Sequence, residues 1–263
     1  MGIVNLTPDS FSGDGVGAVS VAAALAHARA QLEAGADILD LGAESSRPGA
    51  PAVTAKDELA RLLPVLREVV TWGVPVSVDT YKPEVMEAAL AAGCAMINDI
   101  SGMRSPEALA VVAGADCGIC VMHMQGVPGS MQDAPSYVDV LGEVNSELLA
   151  AVARCREAGV DDARLVLDPG FGFGKTAAHN FSLFRGLTVT AALGWPVLVG
   201  VSRKSMLGAV TGRPVEERLS ASVVAAALAA QKGAAILRVH DVAATCDALK
   251  VLRAVEECGV ENG

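Results

Sequence analysis

No stretch of this sequence is long and apolar enough to span a bilayer. The longest bland run, residues 221–230, falls well short of the roughly 20 residues a spanning helix needs. No basic segment leads into an apolar one near the start, so there is no signal-peptide pattern. Positive charge is also in deficit: 20 Lys and Arg against 30 Asp and Glu give a formal charge of -10. That argues against nucleic acid or an anionic membrane as a partner, since both require a basic face. Cysteine is thin, with six residues spread through 263, which fits reduced thiols better than a disulfide framework. Cys117-Gly118-Ile119-Cys120 is formally a CxxC, but it lies in an apolar strand-like run where positions i and i+3 face opposite sides. Its thiols are therefore expected to be structural. Low-complexity linkers and charge blocks are missing too, so the expectation is one cytoplasmic, soluble domain over residues 1–263.

Glycine is what the sequence has in quantity. Gly35, Gly73, Gly93, Gly114, Gly159, Gly194 and Gly233 each end a helix-like stretch, and a short apolar run follows each. A left-handed glycine after a last helical turn, then a short loop into a strand, is the expected αβ connection. The runs are Ile38-Leu39-Asp40-Leu41, Val76-Ser77-Val78-Asp79, Ala95-Met96-Ile97-Asn98, Ile119-Cys120-Val121-Met122, Leu165-Val166-Leu167-Asp168, Val197-Leu198-Val199-Gly200 and Ile236-Leu237-Arg238-Val239, with Gly2-Ile3-Val4-Asn5 ahead of them. Between them, apolar residues recur at helical spacing: Val21, Leu25, Ala28 and Leu32; Leu59, Leu62, Leu63, Leu66 and Val70; Leu141, Val144, Leu148, Val152 and Cys155. Eight strands alternating with eight helices predict an α/β fold, a parallel (β/α)8 TIM barrel, over an open doubly wound sheet. Long connections follow the first, second, fifth and sixth strands, at residues 6–20, 42–53, 123–135 and 169–179; on a barrel rim such loops carry function.

The sixth strand ends in Asp168 and breaks into Pro169-Gly170-Phe171-Gly172-Phe173-Gly174-Lys175-Thr176. Neither phosphate motif fits: a Walker loop would need glycine where Pro169 stands, and a GxGxxG would need it at Lys175 or Ala177. The economical alternative is a loop wrapped around a flat ligand beside Asp168. If the strands are right, their ends gather Asn5, Asp79, Asn98, His123, Asp168, Arg203, Lys204, Arg238 and His240 at one rim. Asp79, Asn98 and Asp168 offer acceptors and an amide fork suited to the edge of a nitrogen heterocycle. Arg203, Arg238 and His240 follow the seventh and eighth strands, where barrels commonly hold phosphate, and would balance an anion there. Lys175 and His179 are expected at the surface, and His27 inside a helix. The stretches 5–12 and 44–49 are rich in Pro, Gly and hydroxyls, which suggests ordered lids, loops one and two, that close over substrate.

Met1-Gly2-Ile3-Val4-Asn5-Leu6-Thr7-Pro8-Asp9-Ser10-Phe11-Ser12, Glu44-Ser45-Ser46-Arg47-Pro48-Gly49, Ser77-Val78-Asp79-Thr80, Ile97-Asn98-Asp99, Met122-His123-Met124, the 167–175 segment, Ser202-Arg203-Lys204-Ser205 and Arg238-Val239-His240-Asp241 resemble, in order along the chain, bacterial dihydropteroate synthase. That family is a (β/α)8 barrel that condenses 6-hydroxymethyl-7,8-dihydropterin pyrophosphate with p-aminobenzoate, a step in folate biosynthesis that sulfonamides block. The resemblance implies that Asp79, Asn98, Asp168 and Lys204 hold the pterin, with Met122 and Gly200 against its faces. It implies that Asn5, Arg238 and His240 grip pyrophosphate, with Asn5 near a Mg2+, and that Ser46, Arg47, Pro48, Phe173 and Ser205 surround p-aminobenzoate. Asp79, Asp168, Lys204, Arg238 and His240 would carry the chemistry. It also implies a homodimer.

The sequence departs from the family at Ser12-Gly13-Asp14-Gly15, where Ser-Asp-Gly-Gly is usual, and at Ser46, where Thr is usual. The second change drops a methyl beside the p-aminobenzoate pocket. A corrinoid-type pterin methyltransferase and a non-catalytic pterin-binding relative are the alternatives; neither explains the Ser-Arg-Pro and Ser-Arg-Lys-Ser segments together with intact polar positions.

Overall fold

Alternation along short strands fixes which side chains meet the helices and which meet one another. In the computed structural model, which describes residues 1–7, 20–45, 52–127 and 129–258, β1 (Gly2–Asn5), β2 (Leu39–Gly42), β3 (Val76–Asp79), β4 (Met96–Asp99), β5 (Gly118–Met122) and β6 (Leu165–Asp168) pair in that order, all parallel. A second pair, β7 (Leu198–Val199) and β8 (Ile236–Leu237), is also parallel. Two parallel bridges join the sets: Leu167 with Val197 on one side, and Gly2 with Val239 on the other. At the second seam Ile3 N–H donates to the Val239 carbonyl and Val239 N–H to the Met1 carbonyl, each at 3.0 Å. The eight strands therefore form a ring, and the predicted barrel is the fold.

Leu39, Leu41, Val76, Val78, Ile97, Ile119, Val121, Leu165 and Leu167 belong to the large core shared with the helices. The alternate positions Ile38, Met96, Cys120, Val166, Leu198 and Ile236 form a separate apolar cluster. These are the two faces that a period of two requires of a strand buried on both sides. Cys117 and Cys120 duly fall into different clusters.

The helices are α1 (Val21–Glu33), α2 (Ala55–Val69), α3 (Pro83–Ala91), α4 (Pro106–Ala113), α5 (Val140–Glu157), α6 (Ala177–Arg185), α7 (Leu187–Ala191), α8 (Ser205–Thr211), α9 (Leu219–Gln231) and α10 (Val242–Glu257). Their starts follow local chemistry. Ser20, Thr54 and Ser105 accept from backbone N–H groups one turn in, and Pro83 and Pro106 open α3 and α4. Thr176 and His179 form a reciprocal capping box on α6. α2 buries Leu62, Val65, Leu66 and Val69, each worth about 1.5–3 kcal/mol when removed from water.

Three expectations need correction. The β6–β7 connection holds two helices, α6 and α7, and a separate α8 precedes α9, so strict one-to-one alternation fails. Val21 is exposed, whereas Ala28 is buried and Leu25 and Leu32 pack against the core as expected, with Ala24 and Gln31 completing the buried face. Gly114 caps α4 with right-handed geometry, φ -77°; the other six helix-ending glycines have positive φ.

Candidate active site

The inner face carries charge where the strands end. Gly42 pairs with Asp79, Asp79 with Asn98, and Met122 with Asp168, so parallel register brings Asp79, Asn98 and Asp168 to one rim as expected. Arg238, just past β8, crosses to them: its Nε donates to Asp40 Oδ2 at 2.6 Å and its Nη2 to Asp79 Oδ2 at 2.8 Å. Asp40 is fully buried, and its Oδ1 has no hydrogen-bond partner among the described residues. The sequence reading missed Asp40 as a site residue. The signal was present, since a carboxylate between Leu39 and Leu41 in a strand covered on both faces must have a cationic partner.

Asp168 Oδ1 accepts the Gly170 N–H at 2.7 Å. Lys204, at the N-cap of α8, donates its Nζ to the Phe171 carbonyl and lies 4.6 Å from the centre of the Phe173 ring. Gly200 leaves space beside Arg238 and Lys204, whose atoms an added Cβ would meet at 3.8 and 4.0 Å. Met122 clusters with Ile100, Met124 and Met131, with Tyr81 and Phe173 packed against them. An apolar wall thus flanks the carboxylates, the combination a flat, polar-edged ring requires.

Desolvation raises the pKa of Asp79 to about 7; Arg238 opposes this and Asp40 adds to it. Burial likewise raises Asp168, against the pull of Lys204 and the Gly170 amide. Lys204 is lowered to about 8 by burial, with Asp168 opposing. Burial also works against the charge on Arg238, but Asp40 and Asp79 outweigh it, and the guanidinium is held charged. These carboxylates are costly to ionise without a ligand, which is how donor-rich sites store binding energy.

His240 accepts or donates through Nδ1 to Ser202 Oγ at 3.0 Å, and its carbonyl accepts from Gln31 at 3.0 Å, so it lies beside Arg238 at the same seam. Asn5 ends β1 at this rim, and Ser205 starts α8 next to Lys204. Ser46, Arg47 and Pro48, together with Phe11 and Asp14 of the first loop, lie outside the described residues. The base of loop two is described: Glu44 accepts from Val53 N–H at 2.9 Å and from Lys82, which also reaches buried Glu58 at 2.7 Å.

Two residues behave differently from expectation, and a third, Asp99, takes a structural part. Arg203 forms a fork with Asp241, 3.0 and 2.5 Å, and so is not an uncommitted cation for an anion. Lys175 is buried, with its ammonium on the Gly170 and Phe173 carbonyls at 2.9 and 3.1 Å and on His123 Nδ1 at 2.9 Å. Asp99 is a turn cap, accepting from Ser101 and Met103 N–H at 2.7 Å. Gly170 and Gly174 are explained by the adjacent 123–125 segment. A Cβ at Gly170 would lie 1.8 Å from the His123 carbonyl oxygen, and one at Gly174 would lie 2.5 Å from that of Gln125.

With that geometry in place, comparison decides the family. The pterin binding enzyme family matches residues 1–240. The dihydropteroate synthase of Neisseria meningitidis serogroup C is 52% identical over 259 residues, covering 97% of this chain and 92% of the relative. This chain belongs to the dihydropteroate synthases. Among solved structures, the Xanthomonas albilineans dihydropteroate synthase with 4-aminobenzoic acid superposes with a TM-score of 0.93 at 50% identity, covering 98% and 93% of the two chains. The Burkholderia cenocepacia dihydropteroate synthase complexed with 7,8-dihydropteroate does so at 0.89 and 48%, covering 97% and 90%. Dihydropteroate synthases are transferases.

Proposed function

We propose a division of labour for the reaction of this family, the condensation of 6-hydroxymethyl-7,8-dihydropterin pyrophosphate with p-aminobenzoate to give 7,8-dihydropteroate and pyrophosphate. Asp79, Asn98 and Asp168 take the amine and lactam edge of the pterin, with Met122 and Gly200 on its faces and Lys204 on its rim. Arg238, His240 and Asn5 hold the pyrophosphate. Ser46, Arg47, Pro48, Phe173 and Ser205 surround p-aminobenzoate. The observation that carries this reading is Arg238 bonded to Asp40 and Asp79, which joins the cation for the leaving group to the carboxylate for the ring.

Chemically, the carbon–oxygen bond to pyrophosphate lengthens and the exocyclic carbon becomes cationic. Asp168 and Asp79 stabilise that charge across the pterin, while Arg238 and His240 meet the charge growing on the leaving group. The arylamine nitrogen then forms the new bond and gives up a proton. Water must be excluded until it does.

Asn5 would hold Mg2+. Its amide oxygen is a hard donor, and among the described residues no three His, Cys, Asp or Glu side chains form a metal cage, a donor set that suits an ion shared with substrate phosphates. When bound, Mg2+ supplies charge neutralisation to the pyrophosphate.

A homodimer is supported by the exposed apolar residues Val210, Val224, Leu228, Val251 and Val255 on α8, α9 and α10. A reducing, cytoplasmic location is supported by six free thiols, four of them buried. The deciding assay is pyrophosphate release from the dihydropterin pyrophosphate with and without p-aminobenzoate. Release that depends on the amine is the expected result; none under either condition would refute the reading.

A further inference from the structure

We propose that Lys175 and His123 form a buried latch that positions the 170–174 loop and, through it, Phe173 and Lys204, making Lys175 a positioning residue for the amine half of the reaction. The inference rests on the assignment of Phe173 to p-aminobenzoate and Lys204 to the pterin. An ammonium has three N–H donors, and the structure provides three acceptors: the Gly170 carbonyl at 2.9 Å, the Phe173 carbonyl at 3.1 Å and His123 Nδ1 at 2.9 Å. Phe173 N–H also donates to the Gly170 carbonyl at 3.1 Å. Lys175 therefore closes the turn that carries Phe171 and Phe173 and ties it to the chain leaving β5.

The other tethers act elsewhere on the loop. Gln132 and Tyr137 hold the carbonyls of Gly172 and Gly174, and Asn180 holds the Gly172 N–H. Lys175 alone among these residues reaches the carbonyls of Gly170 and Phe173. The consequence for the site is direct, because the Phe171 carbonyl accepts from Lys204 and the Phe173 ring lies against the same ammonium. Burial and the nearby Lys175 and Arg104 push the His123 pKa down to about 3, so its ring is neutral and Nδ1 is available as the acceptor. Burial works against the charge on Lys175, lowering its pKa to about 7, with Asp168 opposing.

The test is a double-mutant cycle on the full chain. Lys175→Met is expected to raise the KM for p-aminobenzoate by about 10-fold, because a shift of about 1 Å in a positioning contact is costly, and to leave the KM for dihydropterin pyrophosphate within about threefold. Lys204 retains the attraction of Asp168, which is why the pterin side suffers less. Phe173→Ala is expected to raise the p-aminobenzoate KM, and the double variant to be no worse than Phe173→Ala alone, because Lys175 acts through that ring. Additive effects, or equal losses for both substrates, overturn the latch. If Phe173→Ala itself leaves the p-aminobenzoate KM unchanged, the site assignment fails instead, and the proposal with it. Should Lys175→Met not fold, His123→Phe removes the nitrogen acceptor while keeping an aromatic ring, and the same cycle is run with it.

Discussion

Gly170→Ala separates two reasons a position can demand glycine. At Gly170, φ is +68°, and an alanine Cβ on the same backbone would fall 1.8 Å from the His123 carbonyl oxygen. Gly73 also has positive φ, +75°, but nothing lies within 4 Å of the added atom. The left-handed conformation alone costs an L-residue about 1–2 kcal/mol. At position 170 the two segments must also part by more than about 1 Å, which weakens the neighbouring bond from His123 N–H to the Asp168 carbonyl, 2.9 Å, and the grip of the Asp168 carboxylate on the Gly170 N–H. One backbone bond and one bond to the Asp168 carboxylate, at about 1 kcal/mol each, with the loss of close packing, bring the expected cost to about 4 kcal/mol. Urea unfolding should show it directly, and the thermal midpoint should fall by about 10 °C, against about 3 °C for Gly73→Ala. Because Asp168 loses its backbone donor, pterin affinity should fall as well. Equal stability of the two variants would refute the claim that the glycine loop is shaped by the chain beside it.

Other outcomes follow from the charges. Asp79 has its folded-state pKa raised from 3.8 to about 7, so the stability linked to its proton is full below 3.8 and lost as pH rises through 7. Asp79→Asn should therefore gain on the parent as pH rises from 5 to 7, by about 2 kcal/mol in urea unfolding at the two pH values, while pterin binding collapses; a gap independent of pH would contradict the assigned cause. Asp40→Asn leaves the Arg238 guanidinium with one anionic partner, and should cost about 3 kcal/mol and raise the KM for dihydropterin pyrophosphate, measurable by unfolding and initial rates. Arg203→Ala should change stability by less than about 1 kcal/mol, since its pair with Asp241 is partly exposed, and should leave that KM within about twofold. A tenfold rise would restore Arg203 as a substrate cation.

Glycine punctuation and strand endings made the ring legible, because a left-handed cap and a polar residue at the end of an apolar run are local signals. Asp79, Asn98, Asp168 and Arg238 were readable for that reason, and the parallel register brings the first three to one rim. Asp40 was overlooked because it lies inside its strand, where its need for Arg238 is a matter of partners 198 residues apart. Lys175 was expected in water because a lysine in a glycine-rich loop ordinarily is; only the approach of His123, 52 residues earlier in sequence, encloses it. Arg203 was expected to be available to an anion because sequence shows its charge and not the fork with Asp241. In each case the missing information was a contact between distant segments.

The seam between Gly2 and Val239 has a kinetic meaning. The guanidinium assigned to the departing diphosphate lies just past β8, the eighth strand in chain order and one residue from that seam, and enclosing so long a stretch of chain is entropically the slowest kind of pairing. Turnover during renaturation should accordingly appear after most helical signal has returned, which makes catalysis itself the reporter of when the final gap in the cylinder is sealed.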